Sequence, residues 1–353
     1  MKTAIDSQTG VGAGRVASRF STRRFRFYVQ LFALAVILWI GAEFYRFVSF
    51  VESGGNGGVG PSRPPGVEGF LPISGLISLR DWVHTGVMND IHPASAIILL
   101  VVVVTAILFK KGFCSWVCPV GFISEMVGNI GDRLTGRRLK LPLILDYPFR
   151  SIKYLLLGFF AYVVFWSMSS AQVQQFIASP YNKVADIKML KFFTEIDIFT
   201  LTTIAVLFVL SVFLRGFWCR YLCPYGALLG LCSLAGPARI KRDPGLCISC
   251  GKCAKVCPAF ITVDKVKQVV SDECSGCVDC VDVCLVPGAL ELGLIGAKKK
   301  VSKKVWVYAF VLVFWGALIF FKWVGPWENS ISTQEYIHHS QRMNGGEYTH
   351  PGR

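Results

Sequence analysis

Eight of the thirteen cysteines stand in two runs of one spacing, Cys247-x2-Cys250-x2-Cys253-x3-Cys257-Pro258 and Cys274-x2-Cys277-x2-Cys280-x3-Cys284. Nothing else in the chain constrains its fold so tightly. Three thiolates two residues apart wrap one face of a cubane, and the fourth, one residue further on, points away and reaches a second. The pattern predicts two 4Fe-4S clusters with exchanged ligands. Cys247, Cys250, Cys253 and Cys284 hold one; Cys274, Cys277, Cys280 and Cys257 hold the other. In the second run Leu285 follows the last cysteine and the proline comes only at Pro287, which alters the turn and removes no ligand. Zinc knuckles pair cysteines across a longer gap, and a disulfide framework needs an oxidising compartment.

Hydrophobic residues make up 53% of the 353, and the mean hydropathy is +0.51, too apolar for an ordinary water-soluble chain. Five segments are apolar enough to span a bilayer as helices: 27–51, 93–109, 154–173, 198–214 and 305–321. Lysine and arginine set the orientation, because short basic loops stay on the cytoplasmic side. Lys2, Arg15, Arg19, Arg23, Arg24 and Arg26 precede the first span, and seven more, from Lys110 to Arg150, lie between the second and third. Fourteen fall between Arg215 and Lys304, whereas 52–92 holds only Arg63 and Arg80, and 174–197 only Lys183, Lys188 and Lys191. Rich and poor segments alternate. Five spans then leave the N-terminus and both cysteine runs in the reducing cytoplasm and residues 325–353 outside.

The expected fold is an α-helical integral membrane protein with a small α+β, ferredoxin-like module. Its parts are a basic N-terminus (1–26), a membrane domain of four spans (27–236), the cluster module (237–296), a fifth span (297–324) and an outer tail (325–353). The net charge of +15 follows from this topology. No aromatic-interleaved basic patch accompanies it, which excludes nucleic acid as a partner. The first span lacks a small-residue cleavage site and reads as a retained anchor; Arg23-Arg24 precedes too long an apolar run for a twin-arginine signal. Residues 52–66 form a Gly/Pro/Ser-rich outer connection, and 71–87 an amphipathic helix along the outer interface, opening near Pro72 and Ser74.

The segments directly after the second and fourth spans repeat one another. One copy is Lys111-Gly-Phe-Cys114-Ser-Trp-Val-Cys118-Pro119-Val-Gly121, the other Arg215-Gly-Phe-Trp-Cys219-Arg-Tyr-Leu-Cys223-Pro224-Tyr-Gly226. A matched doublet implies a two-fold-like helical core. Proline suits the first helical position, so Cys118 and Cys223 become helix caps, where amide dipoles favour a thiolate. Cys114, Cys118, Cys219 and Cys223 together suit a mononuclear metal, a further cluster or a redox thiol site; the alternative is four reduced cysteines shaping two helix starts. Cys232 has no partner in its apolar helix and reads as packing.

With two Cys-x3-Cys-Pro motifs behind membrane spans and a double 4Fe-4S module after them, residues 27–325 resemble the polyferredoxin membrane proteins of the NapH/NosR/CcoG group. The segments Arg63-Pro-Pro-Gly-Val-Glu-Gly-Phe-Leu-Pro72 and Ser179-Pro-Tyr-Asn-Lys-Val-Ala-Asp-Ile-Lys-Met189 also match one subgroup. The resemblance implies quinol oxidation in the bacterial inner membrane, with electrons passed through clusters to a reductase or cytochrome. Neither the flavin-binding region of NosR nor the extended C-terminal domain of CcoG has a counterpart here, so roles tied to those parts do not transfer.

A quinol site needs an apolar slot, a proton acceptor and a redox centre. Glu43, with Arg46 three residues on, is an intramembrane ionisable group of the kind read as functional, or else a pair that neutralises itself and snorkels. His84 and His92 flank the outer end of the second span and suit either proton uptake or helix capping. His338, His339, Met343 and His350 suit a copper-type site or an ordinary flexible tail. Three activities fit the whole: quinol-fed electron transfer, reduction of a metal ion such as Cu(II) by the cytoplasmic thiols, and iron-sulfur redox sensing.

Overall fold

The computed structural model describes residues 21–55, 60–296, 300–343 and 345–348. Lys2, Arg15 and Arg19 of the basic N-terminus, residues 56–59 of the glycine-rich connection, and His350 lie outside these. Ser21 caps the first helix by accepting from the Arg24 amide, and α1 (Thr22–Glu52) then runs for 31 residues. That is about 46 Å, longer than a bilayer core of about 30 Å. Next are α2 (Pro72–Thr85), α3 (Pro93–Phe109), α4 (Gly112–Trp116), α5 (Pro119–Thr135) and α6 (Leu143–Tyr162), which continues as a π turn, Val163–Ser167. Beyond it lie α7 (Ser170–Ala178), α8 (Pro180–Lys183), α9 (Ala185–Thr194), α10 (Ile198–Phe213) and α11 (Pro224–Ala235). The cysteine-rich part contributes β1 (Ala238–Arg242), α12 (Lys252–Val256), α13 (Asp279–Asp282), β2 (Leu290–Leu294) and β3 (Lys300–Val301), after which α14 (Lys303–Val324) and α15 (Thr333–Arg342) complete the chain.

Among the described residues, three helices are long and apolar enough to cross a membrane: α1, α6 with its π turn, and α14. The pair α9 and α10, bent by 76°, makes a fourth if taken as one span. The expected segments 27–51 and 305–321 lie inside α1 and α14. The expected segment 154–173 is displaced: its helix starts eleven residues earlier and stops at Ser167, because Ser169 and Gln172 form a capping box that begins α7. Segments 93–109 and 198–214 coincide with α3 and α10, of 17 and 16 residues. Around α3, most of which is buried, the other helices expose large apolar side chains such as Trp39, Leu155, Phe199 and Leu312. Lipid is the solvent such a surface suits. The helix at Pro72–Thr85 packs inward with Ser74, Gly75, Ile77, Ser78 and Arg80. A Cβ on Gly75 would lie 2.7 Å from the Ser95 carbonyl oxygen, so α2 crosses the N-terminal end of α3 in close contact.

The sequence repeat is a packing repeat with partners exchanged. The first-copy span α3 packs on the second-copy cysteine helix α11, and the second-copy span α10 packs on the first-copy helix α5. Glycines permit both approaches. Gly131 and Gly236 each stand twelve residues beyond the motif proline; a Cβ at Gly131 would lie 1.8 Å from the Val212 oxygen, and one at Gly236 1.7 Å from the Ile107 oxygen. The two contacted carbonyls are equivalent to within one residue, five before Gly112 and four before Gly216.

The strands form one antiparallel sheet in the order β1-β2-β3, with Ala238 opposite Leu294 and Leu292 opposite Val301. Its third strand lies past residue 296, the expected end of the module. One apolar core passes from Ala33, Val102 and Leu229 of the bundle through Ile240, Val278 and Leu292 of the module to Val307 and Phe310 of α14. The module is therefore built into the bundle. At the other end α15 packs against α1, with Tyr336 edge-on to Phe47 at 5.3 Å, and Lys183 pairs with Glu335 at 2.6 Å. The expected flexible tail is thus folded through Tyr348 among the described residues, because its aromatic residues complete an outer core.

Gly131→Ala and Gly236→Ala should each destabilise the detergent-solubilised protein by about 1–3 kcal/mol through overpacking, read as a lower thermal unfolding midpoint. Gly158→Ala, where a Cβ meets nothing within 4 Å, should leave it unchanged.

Candidate functional site

The eight module cysteines line two cavities of nearly equal size. Cys247, Cys250, Cys253 and Cys284 surround one of about 400 Å³, partly open to solvent. Cys257, Cys274, Cys277 and Cys280 surround the other, of about 390 Å³. Each set takes three thiols from one run and one from the other. The backbone that shapes them repeats as well: Ser249 and Gly276, two residues past the first cysteine of each run, have φ of 53° and 63°, and Gly251 and Val278, just past the second, have 67° and 66°. A β-branched residue in this region is an outlier; Val278 is held there by near-complete burial in the core. The loops turn amides toward sulfur. The Ser249 amide, with the Arg242 side chain, lowers the pKa of the Cys247 thiol.

The cavities differ in exposure. Cys257, Cys277 and Cys280 are buried, whereas Cys250 is exposed. Four thiols in each cavity fit an iron-sulfur cluster; the second cavity has otherwise mostly apolar walls, and the first is also lined by Asp264, Arg242 and Lys252. Among the described residues no three His, Cys, Asp or Glu side chains converge on a single-ion point.

The four motif cysteines form a third gathering. Cys118 and Cys223 are the N-caps of α5 and α11, as the Cys-Pro sequence leads one to expect, and the Cys223 sulfur accepts from the Gly226 amide at 3.3 Å. Gly121 is required here: a Cβ would come within 2.2 Å of the Cys114 oxygen. The second copy has one extra residue, Trp218, between its phenylalanine and first cysteine, and Trp218–Leu222 is a π turn, the helix form that takes up an extra residue and recurs at functional sites. Burial pushes the Cys118 thiol up to about 11 and that of Cys219 to about 12, and the neighbouring motif thiols add to the shift. Cys114 is driven well up by burial and by Cys118, Cys223 and Cys219, with the Lys111 ammonium opposing. With no cation among them these groups are thiols at neutral pH, and a bound cation would favour their ionised form.

A buried ion knot joins this gathering to the module. Glu273, just before Cys274, accepts from Lys111 and Arg150 at 3.1 Å each and from Lys153. Around it the Tyr154 hydroxyl bonds Asp272, Arg26 bonds Glu125 and Asp279 at 2.8 and 3.1 Å, and Lys303 bonds Asp282. Backbone contacts are as direct. Ser115 Oγ donates to the Ser275 oxygen at 2.8 Å, and the Trp116 indole to the Gly276 oxygen at 3.3 Å, so α4 of the first motif carries the loop of the buried cysteine set. Sequence reasoning missed Glu273 and treated Lys111 and Arg26 as topology signals. The available clue was Asp272-Glu273, two acids abutting a cysteine run.

The remaining residues lie elsewhere. Glu43 pairs with Arg46 at 3.0 Å on the half-exposed face of α1, thirteen residues, or about 20 Å, from Gln30, which bonds the Ser115 oxygen. His84 is exposed. His92 is fully buried between two acceptors, Glu68 Oε1 at 3.3 Å and the Asn182 oxygen at 2.7 Å. Burial opposes its charge, but the Glu68 carboxylate raises its pKa. Arg63 completes this knot by bonding Glu68 at 2.9 Å and Asp186 at 2.7 Å, which joins the segments 63–72 and 179–189. His339 bonds the Tyr348 hydroxyl at 2.7 Å, and Cys232 feels no other thiol among the described residues.

The model of the 4Fe-4S binding domain family matches residues 91–142 and 196–242, both motif copies. That of the 4Fe-4S dicluster domain family matches 239–285. The protein YccM of Escherichia coli (strain K12), which bears a provisional electron-transport name, is 40% identical over 312 residues, 87% of each chain. The chain belongs to the YccM family. Ties beyond that family are looser: NirI of Paracoccus denitrificans is 29% identical over 63% of this chain and 32% of its own. The ferredoxin-type protein NapH of Escherichia coli (strain K12) is 29% identical over 53% and 63%. No solved structure matches.

Three cations hold the Glu273 carboxyl at about 2, below its usual 4.5, against burial. Its stabilisation is therefore complete above pH 4.5 and lost as pH falls toward 2. Glu273→Gln should cost about 3–5 kcal/mol at neutral pH, since it leaves buried cations unpaired, and should flatten the acid limb of the unfolding-midpoint curve between those values.

Proposed function

We propose that the chain is an inner-membrane electron carrier that draws electrons from the quinol pool and delivers them at the cytoplasmic face to a redox protein. The observation that carries this reading is the placement of three thiol sets in one continuous core that ends at an exposed cysteine. Cys114, Cys118, Cys219 and Cys223 would hold a cluster at the membrane surface. Cys257, Cys274, Cys277 and Cys280 would hold a buried one beside it, and Cys247, Cys250, Cys253 and Cys284 one at the solvent edge. When bound, 4Fe-4S clusters supply one-electron redox chemistry. The chain's own residues fix the rest. Lys111 offsets negative charge beside the motif thiols, Trp116 and Val278 keep water from the buried set, and the exposed turn at Cys250 offers a contact point for the partner. The family's electron-transport name and the two 4Fe-4S family models support the assignment.

The membrane arrangement proposed with it has five spans, with α3 and α10 completed by their flanking residues, the N-terminus and module in the cytoplasm, and α15 in the periplasm. Alternating basic segments support it.

Anaerobically purified full-length protein should contain about twelve iron atoms and as many acid-labile sulfides per chain, and Cys118→Ser with Cys223→Ser should lower both to about eight. Eight in the unsubstituted protein would confine the clusters to the module; absence of sulfide would refute the reading. In proteoliposomes quinol should bleach cluster absorbance. Bleaching by dithionite alone would remove quinol as the donor.

A further inference from the structure

A third cavity lies where α6 begins and α10 ends. It is a cleft of about 630 Å³ counted together with the solvent space at its mouth. One wall is apolar, formed by Leu139, Leu141, Leu143 and Leu214. The other is cationic and aromatic. Arg220 bonds Asp146 at 2.8 and 3.1 Å and lies 5.4 Å from the Phe260 ring centre and 5.7 Å from that of Tyr221. Lys140 sits 4.7 Å over Phe260 and, among the described residues, has no carboxylate partner. Phe260 is a bulky residue at φ 58°, a strained conformation of the kind that surrounding structure maintains at ligand sites.

We propose that this cavity binds the head ring of a lipophilic quinone. The proposal rests on the quinol reading above and locates its site at the inner membrane surface. A quinone ring can lie against the leucine wall, and its oxygens suit Lys140 and the unused Arg220 N–H groups. Its tail can leave over Leu143, which is 71% exposed at the head of a membrane-length helix. The place is right for electron exchange. Arg220 follows Cys219 in the chain, and its guanidinium bonds the Ala259 oxygen at 3.0 Å, two residues beyond Cys257, so the cavity adjoins the motif thiols and the buried module set. A phospholipid phosphate would also meet the cations, but Arg215 and Arg220 are already paired with Asp132 and Asp146.

Binding of short-chain ubiquinone and menaquinone analogues to the cluster-loaded full chain in phosphatidylcholine nanodiscs, read by tryptophan fluorescence quenching, tests this. Leu141→Trp and Thr262→Trp add bulk at two lining positions of the cavity, and each should weaken binding about tenfold or more with iron content unchanged. An azidoquinone should label residues 139–143 and 260–262 of the unsubstituted protein, a readout independent of how the variants fold. Unchanged affinity in both variants, or labelling elsewhere while quinol still bleaches the clusters, overturns this location and leaves the quinol reading standing. No quinone binding to the unsubstituted protein overturns both. Loss of binding in phosphatidylglycerol nanodiscs makes the cavity an anionic-lipid site and overturns the proposal.

Discussion

One buried carboxylate fastens the two halves of this protein together. Glu273 lies between Lys111, Lys153 and Arg150, which belong to the first motif and to α6, while Glu273 itself opens the second cysteine run. Buried charges are costly unless fully paired, and removing one partner costs far more than the pair contributes. The knot thus selects a register. With it in place Ser115 and Trp116 of α4 bond the Cys274–Gly276 loop. A module on a flexible tether would not fix that spacing, on which electron exchange between centres depends.

Exchange of partners recurs at two scales. In the module each run lends one cysteine to the other's cavity, and in the bundle each copy's span packs against the other copy's cysteine helix. Both devices make the halves interdependent. The second is possible only because Gly131 and Gly236 let backbones touch where any side chain would collide. The inserted Trp218 makes the copies unequal, and the resulting π turn brings Arg220 and Tyr221 to the third cavity. The second copy thereby forms a wall of the proposed quinone site.

Local patterns in the sequence anticipated much of this. Doubled spacing singled out the eight module cysteines, and Pro119 and Pro224 marked Cys118 and Cys223 as helix caps. Periodicity found α1, α3, α10 and α14 but misplaced the span after Lys140, because the apolar run continues past the point where Ser169 and Gln172 start a new helix. Long-range ion pairs left no such trace. Lys111, Arg26 and Arg150 look like any basic residues at a cytoplasmic membrane edge, and only folding shows that they meet Glu273 and Asp279. His92 and the tail histidines drew attention by type, yet structural hydrogen bonds occupy His92 and His339. The cavity beside Phe260 has no linear signature, since its walls come from segments more than a hundred residues apart.

A quinone in the third cavity would need no carrier along the bundle from Glu43, which lies in the C-terminal half of α1. The account stands or falls on whether the motif centre and the buried module centre adjoin. Electron paramagnetic resonance of the anaerobically purified protein, recorded during stepwise reduction, measures this directly. The structure predicts spectra that broaden and split as successive electrons enter, because neighbouring spins couple. Additive signals from isolated centres, unchanged from one electron to the next, would contradict it.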